Sequence, residues 1–270
     1  MSTRTLVPGL AGARLERLGD RAVLGDLYDD RGAPVYDDVA GRGTHEVREL
    51  VAMVRRAPGP ILELAAGSGR LTLPLLTLGR QLTALELSAS MLRRLDDRLA
   101  TVPARLRDLC IPVRADMSDF ALDRRFGVIV LGTTSISLLD RAGRTGLYRA
   151  VRRHLAPGGR FVLSTVDLDG TGPDPIESRI EVVAAPDRVY DLYEHWVPVS
   201  GLRTVTVFPA ESVQPATGPV TVCTTSIGVL SADRITAELA EEGIGVITRQ
   251  VLPAPGERHS DVLLETAVRS

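Results

Sequence analysis

The chain has 270 residues, a formal net charge of −2, 44% hydrophobic and 24% charged residues, and these numbers predict a large folded core while excluding wholesale disorder. No run of basic residues forms the positive footprint that a nucleic-acid partner requires. Lysine and asparagine are absent and all 32 basic residues are arginine, which excludes a Walker-type phosphate lysine, a Schiff-base lysine and a lysine general base.

The first 45 residues are rich in Gly, Asp and Arg and predict a helical arm with loops. HEVRELVAMVRR (45–56) repeats apolar residues at helical spacing and is stopped by Pro58-Gly59-Pro60. ILELA (61–65) predicts a buried strand, and a helical pattern follows over 70–79. QLTALEL (81–87) predicts a strand, and SASMLRRLDDRLA (88–100) an amphipathic helix capped by Ser88. PVRADM, FGVIVLG and FVLSTVD predict three more strands, with a helix over 141–155 ahead of the last. Strands alternating with helices imply a parallel sheet with right-handed crossovers. Residues 177–230 are rich in Val, Thr and Tyr and carry almost no helical signal. A helix over 231–244 and two closing strands, VITRQVLP and DVLLETAV, complete the chain.

The N-terminus lacks the apolar centre of a signal peptide, and no stretch reaches membrane-spanning length. With Cys110 and Cys223 outside any metal-type spacing, the expectation is a cytoplasmic protein without membrane, nucleic-acid or metal partners.

In a doubly wound sheet ligands bind beyond the carboxyl ends of the strands, where Ala66-Gly67-Ser68-Gly69 lies. Glycine there permits unusual backbone angles, and a helix start favours an anion. A dinucleotide fingerprint would place a third glycine where Thr72 stands. Glu86, ending the second strand, is suited to the hydroxyls of a ribose. Asp116 and Met117, ending the third, suit the amino group and face of an adenine.

ELAAGSG, ALELSASML, RADM, FGVIVLG and LAPGGRFVLS together resemble the class I S-adenosylmethionine (SAM) dependent methyltransferases, closely over about residues 36–167. The resemblance implies SAM as cofactor and S-adenosylhomocysteine (SAH) as product, on a Rossmann-like α/β fold with a mostly parallel sheet and a small antiparallel β lid after strand five. It divides the chain into an N-terminal arm covering the cofactor site (1–56), a SAM-binding core (57–176), the lid (177–230) and closing elements of the core (231–270). Position by position, Glu63, Ala65, Gly67 and Gly69 match the loop around the methionine part of SAM. Glu86 and Leu87 match the ribose acid and its neighbour, and Met91, Asp116 and Met117 the adenine positions. Gly132 and Thr133 match the floor of the site, and Tyr36 and Arg42 a segment closing over the cofactor. Ala65 departs from the family's usual glycine. In amino-sugar N-methyltransferases a histidine follows the fourth strand, and Ser137 stands at that position here.

For the acceptor side, Tyr193 and His195 share one face of a lid strand, RVYDLYEHWVPV, and are candidates to bind substrate or accept a proton. Trp196, Thr134, Ser135 and Ser137 are candidates to shape the substrate pocket. His45 begins a helix near the cofactor region, whereas His154 and His259 are expected at the surface. The lid holds Tyr190, Tyr193, Trp196 and Phe208, which suits a substrate cover, a lid core or a subunit contact in a homodimer. The whole pattern resembles actinobacterial natural-product tailoring enzymes, among them the N-terminal methyltransferases of daptide-type ribosomal peptides. It implies N-methylation of a peptide α-amine, once or twice. An O-methyltransferase or amino-sugar N-methyltransferase acting on a small metabolite, and a non-catalytic SAM-binding partner, are the alternatives.

Overall fold

A computed structural model describes residues 7–40, 44–168, 174–214, 217–253 and 259–269. The chain forms two compact units, one of residues 1–42 with 171–229 and the other of residues 43–170 with 230–270. The expected N-terminal arm is thus divided, its first part clustering with the lid residues and its last helix with the core.

The larger unit begins with α3 (Thr44–Arg56) and continues through β2 (Ile61–Leu64), α4 (Thr72–Leu76), β3 (Leu82–Glu86), α5 (Ala89–Thr101) and α6 (Ala104–Arg107). Then come β4 (Cys110–Arg114), β5 (Phe126–Leu131), α7 (Arg141–His154) and β6 (Leu155–Leu168). After the other unit it closes with α8 (Ala232–Glu241), β11 (Ile244–Pro253) and β12 (His259–Val268). Its seven strands run in the order β11-β12-β6-β5-β2-β3-β4. β12 is antiparallel to both neighbours, and the pairings from β6 to β4 are parallel. Chain order reverses at β2, which pairs with β3 on one side and β5 on the other.

The strands are apolar throughout because both faces are covered. Leu62, Leu64, Ile129 and Leu131 pack with α7 and α8 residues such as Leu147 and Ile235. Ile61, Val128 and Val130 pack with Leu50 and Val54 of α3, Leu75 of α4 and Leu95 of α5. Each fully buried Leu, Ile or Val contributes about 1.5–3 kcal/mol. α5 starts on Ser88, whose Oγ accepts from the Met91 N–H, and α7 on Asp140, whose carboxylate accepts from the Gly143 N–H. The helical pattern over 70–79 yields only the five-residue α4, because the turns around Gly67 and Gly69 occupy the chain before it and Gly79, at φ 69°, ends the segment in a left-handed turn.

His154 corrects an expectation. It is buried, not on the surface: its Nε2 accepts from the Leu122 N–H at 2.9 Å, and its Nδ1 lies 2.7 Å from the Ala150 carbonyl. The polar run RRH carries no sign of this, since the ring turns back under the helix onto Phe120. His259 lies in β12, partly buried, and not in a turn.

The smaller unit contains α1 (Gly9–Leu18), β1 (Ala22–Asp26) and α2 (Gly32–Ala40) from the N-terminus. From the lid region it takes β7 (Ile176–Ala185), β8 (Arg188–Val197), β9 (Leu202–Pro209) and β10 (Val220–Gly228). Its sheet runs β1-β10-β9-β8-β7, antiparallel except that β1 lies parallel to β10. The local pattern does not reveal β1, because its five residues, AVLGD, form a strand only against β10, far along the chain. α1 is tied to this sheet by Arg14, which is buried, stacks 4.7 Å over the Phe208 ring and donates to Asp191, Tyr193 and the Pro209 carbonyl.

Candidate cofactor site

The order reversal at β2 leaves the carboxyl ends of β2 and β5 side by side with connections leading away in opposite directions, the place where open α/β sheets take ligands. Backbone strain concentrates there. Among the described residues the non-glycine positions with positive φ are Ala65 (51°), Thr133 (58°) and Thr134 (54°), which follow β2 and β5. Left-handed backbone costs an L residue about 1–2 kcal/mol, and such outliers gather where a site over-determines the chain.

At φ 51°, Ala65 adopts a left-handed backbone that glycine would take without strain. Ala65→Gly removes the Cβ penalty but adds glycine's entropy in the unfolded chain, about 0.5–1 kcal/mol. The variant is expected to gain at most about 1 kcal/mol, a melting temperature higher by about 2–4 °C, with SAH affinity within about twofold. A lower melting temperature in a calorimetric scan would contradict this account of Ala65.

Beyond Ala65 the loop is held from β3. Glu86, the last residue of that strand, accepts the Gly67 N–H on Oε2 at 2.9 Å and the Ser88 N–H on Oε1 at 2.8 Å. The acid is thereby oriented, and each oxygen keeps a further lone pair for a hydroxyl. A Cβ built on Gly67, where φ is 57°, meets nothing within 4 Å, so the loop borders open space. One built on Gly69, at φ 95°, would stand 2.6 Å from Leu95 Cδ1, so that glycine serves the packing of α5 under the loop. Gly132 does the same after β5, where a Cβ would come 2.9 Å from Leu50 Cδ1.

Glu63 faces the α3–α4 layer with Ile61 and is fully buried, accepting from Thr72 Oγ1 at 2.7 Å. Burial pushes its carboxyl up to about 8, with Thr72 opposing and Glu86 adding to the shift, so it is neutral at pH 7. At the end of β4, Asp116 accepts the Ser118 N–H at 2.8 Å, and Met117 is buried. Met91 is buried in α5, while Leu87 is largely exposed and offers its carbonyl to Arg114. Ser135 and Ser137 are buried in the single turn after β5, and Thr133 Oγ1 lies 3.1 Å from Ser135 Oγ.

The structure gathers the glycine loop, Glu63, Glu86, Met91 and the β5 turn in the larger unit. It also brings in three residues that the sequence did not single out. Glu46 of α3 accepts the Thr133 N–H at 2.6 Å, Arg70 Nη2 lies 3.5 Å from the same carboxylate, and Ser164 Oγ accepts the Thr134 N–H at 3.0 Å. An acid in the first turn of a helix reads as a dipole partner, so no local signal marks Glu46.

The remaining candidates lie in the smaller unit. Tyr193 is buried among Val7, Ala11 and Phe208, and its hydroxyl accepts from Arg14. Trp196 is buried, donates to Glu194 and lies under the Arg203 guanidinium. Tyr36 sits in α2 with its ring 5.4 Å from that of Tyr28. Tyr190 donates to Asp38, and burial pushes its phenol up to about 12. His195 Nδ1 is 2.8 Å from Glu177 Oε1, which also accepts the Leu10 N–H. The bond from His195 holds the Glu177 carboxyl below its ordinary value. Arg42 lies outside the described residues, and so does the side chain of His45. No cluster of three or more His, Cys, Asp or Glu suited to a metal occurs among the described residues, and no helix there is long and apolar enough to cross a membrane.

An oriented acid at the end of β3 and a glycine turn with open space beside it suit the ribose and tail of a nucleoside ligand. Residues 61–159 match the methyltransferase domain family. The glycopeptide N-methyltransferase MtfA in complex with SAM is 36% identical over 98% of this chain and 99% of its own, with a TM-score of 0.69. Its complex with SAH matches at 40% identity over 97% and 99%, with a TM-score of 0.70. CcbJ, a methyltransferase from Streptomyces caelestis, shares the fold at 20% identity, covering 91% of this chain and 99% of its own, with a TM-score of 0.75. An rRNA adenine N-6-methyltransferase from Corynebacterium diphtheriae is 29% identical over 101 residues, 33% of this chain and 38% of that relative's length. The chain belongs to the SAM-dependent methyltransferases.

Proposed function

We propose that this protein transfers the methyl group of SAM to an amine of a peptide-derived natural product, with a peptide N-terminal α-amine as the acceptor and one or two methyl groups added. The observation that supports this most is the match to the glycopeptide N-methyltransferase MtfA, which runs over both units of the chain and not over the nucleotide-binding core alone.

SAM, when bound, supplies an electrophilic methyl group on a sulfonium. The chain's residues suit it by shape and charge. Glu86 offers oriented oxygens for the ribose hydroxyls, Asp116 and Met117 an acid and an apolar wall for adenine, and Gly67 the open backbone beside the amino-acid tail. Gly132 and Thr133 form the floor. Methyl transfer asks chiefly for positioning and exclusion of water, and an α-amine, with a pKa of about 7.7–8.0, is partly free at neutral pH.

A proton must still leave the methylated nitrogen. His195 is the candidate to take it, since a hydrogen bond from Nδ1 to Glu177 fixes the tautomer in which Nε2 carries the lone pair. Tyr193 is proposed as a support of that strand through Arg14, and Thr134, Ser135 and Ser137 as residues shaping the acceptor pocket.

The test is transfer of labelled methyl from SAM to free-amine peptides, their N-acetylated copies, amino-sugars and phenols, followed by mass spectrometry. Label confined to free-amine peptides is the expected result, and the mass added counts the methyl groups. Label on amino-sugars or phenols alone would overturn the peptide reading.

A further inference from the structure

One buried acid of the larger unit takes no part in holding SAM or its acceptor as proposed. Glu46 is the third residue of α3, and its carboxylate reaches beyond its own helix to the Thr133 N–H. It reaches to the chain following two strands: Oε1 accepts the Thr133 N–H after β5, and Oε2 faces Arg70 in the loop after β2. Ser164 Oγ in turn accepts the Thr134 N–H, so one acid and one hydroxyl hold both N–H groups of two consecutive left-handed residues. Neither threonine would adopt that backbone unaided, and Glu46 and Ser164 are both buried.

We infer that Glu46 is a positioning residue for the cofactor site, clamping the Thr133–Thr134 turn to the glycine loop across the β2–β5 switch point. The inference rests on the proposed SAM reading, in which that turn floors the site. A helix-dipole role alone would not account for the direction of the side chain, since the dipole is served by an acid anywhere in the first turn.

Burial pushes the Glu46 carboxyl above its ordinary value. Asp261 of β12 reinforces the shift, while Ser164, Arg70 and the Thr133 N–H oppose it. The clamped acid therefore holds its proton more tightly than an exposed one, and the clamp is expected to resist opening more firmly as pH falls through the raised value.

Two measurements test this, on the full chain with Glu46→Ala and Glu46→Gln. The first is hydrogen exchange without ligand. In Glu46→Ala the amides of 132–138 are expected to exchange at least about tenfold faster, a change of about 1.4 kcal/mol in opening, while the strands keep wild-type protection. The second is SAH binding by calorimetry at neutral pH. Glu46→Ala is expected to bind at least about tenfold more weakly, and Glu46→Gln, which keeps an acceptor for Thr133, to recover most of the affinity. Unchanged exchange at 132–138 in both variants overturns the clamp whatever SAH does. Unchanged SAH affinity with altered exchange overturns its link to the cofactor. Failure of the wild-type protein to bind SAH overturns the SAM reading, and with it that link, but leaves exchange to decide the clamp.

Discussion

Glu86→Gln is expected to weaken SAH binding by more than about 100-fold while leaving the fold intact. Glu86 uses one oxygen for the Gly67 N–H and the other for the Ser88 N–H, so both oxygens are acceptors before any ligand arrives. An amide has only one acceptor oxygen, and its NH₂ must oppose one of those two backbone donors. The ribose side then loses two charge-assisted bonds worth about 1.5–3 kcal/mol each. Because the side chain is partly exposed at a strand end, the stability cost should stay within about 1 kcal/mol. Titration calorimetry and a thermal melt separate the two effects. Retention of SAH affinity within about threefold would remove Glu86 from the cofactor site.

The second large effect is on stability. Glu63→Gln is expected to make the ligand-free protein more stable, and increasingly so as pH rises. In the folded chain burial holds the Glu63 carboxyl at about 8, against an ordinary value of 4.5. Below about pH 4.5 both states carry the proton, and the stabilising contribution is complete. Between the two values the unfolded chain has lost the proton and the folded chain keeps it, so stability falls as pH rises, until the folded value is passed. The full span amounts to roughly 3–5 kcal/mol at about 1.4 kcal/mol per unit. Glutamine is neutral throughout and can still accept from Thr72 Oγ1, so it lacks this slope. Urea unfolding from pH 5 to 9 should show the two proteins diverging steadily up to about pH 8 and running parallel above. A constant difference across that range would mean that Glu63 has an ordinary carboxyl in the folded state.

The parallel core is legible in the sequence because its signals are local. Apolar runs such as ILEL and FGVIVL become strands covered on both faces, and Ser88 caps α5 in the structure. The glycine loop and the acid ending β3 are legible for the same reason: each occupies a fixed place relative to the end of a strand. The family resemblance singles out Ala65 as well, and the structure supplies the cause, a left-handed backbone that glycine would adopt without strain. His154 escapes a local reading because the direction in which a residue faces at a helix end depends on what is packed beneath it, here Phe120 and the Leu122 N–H.

By itself, then, the sequence determined the alternation of strands and helices, the apolar faces that force a two-sided parallel sheet, and the chemistry gathered at its strand ends. Those features follow from backbone propensity and periodicity over a few residues. Tertiary structure alone decided that AVLGD becomes a strand beside β10, that residues 1–42 cluster with 171–229, and that Glu46 reaches the Thr133 N–H from another element. Pairings of that kind join residues far apart along the chain. Their free energy comes from partners that no local window contains, and only the folded chain brings those partners within a hydrogen bond's length.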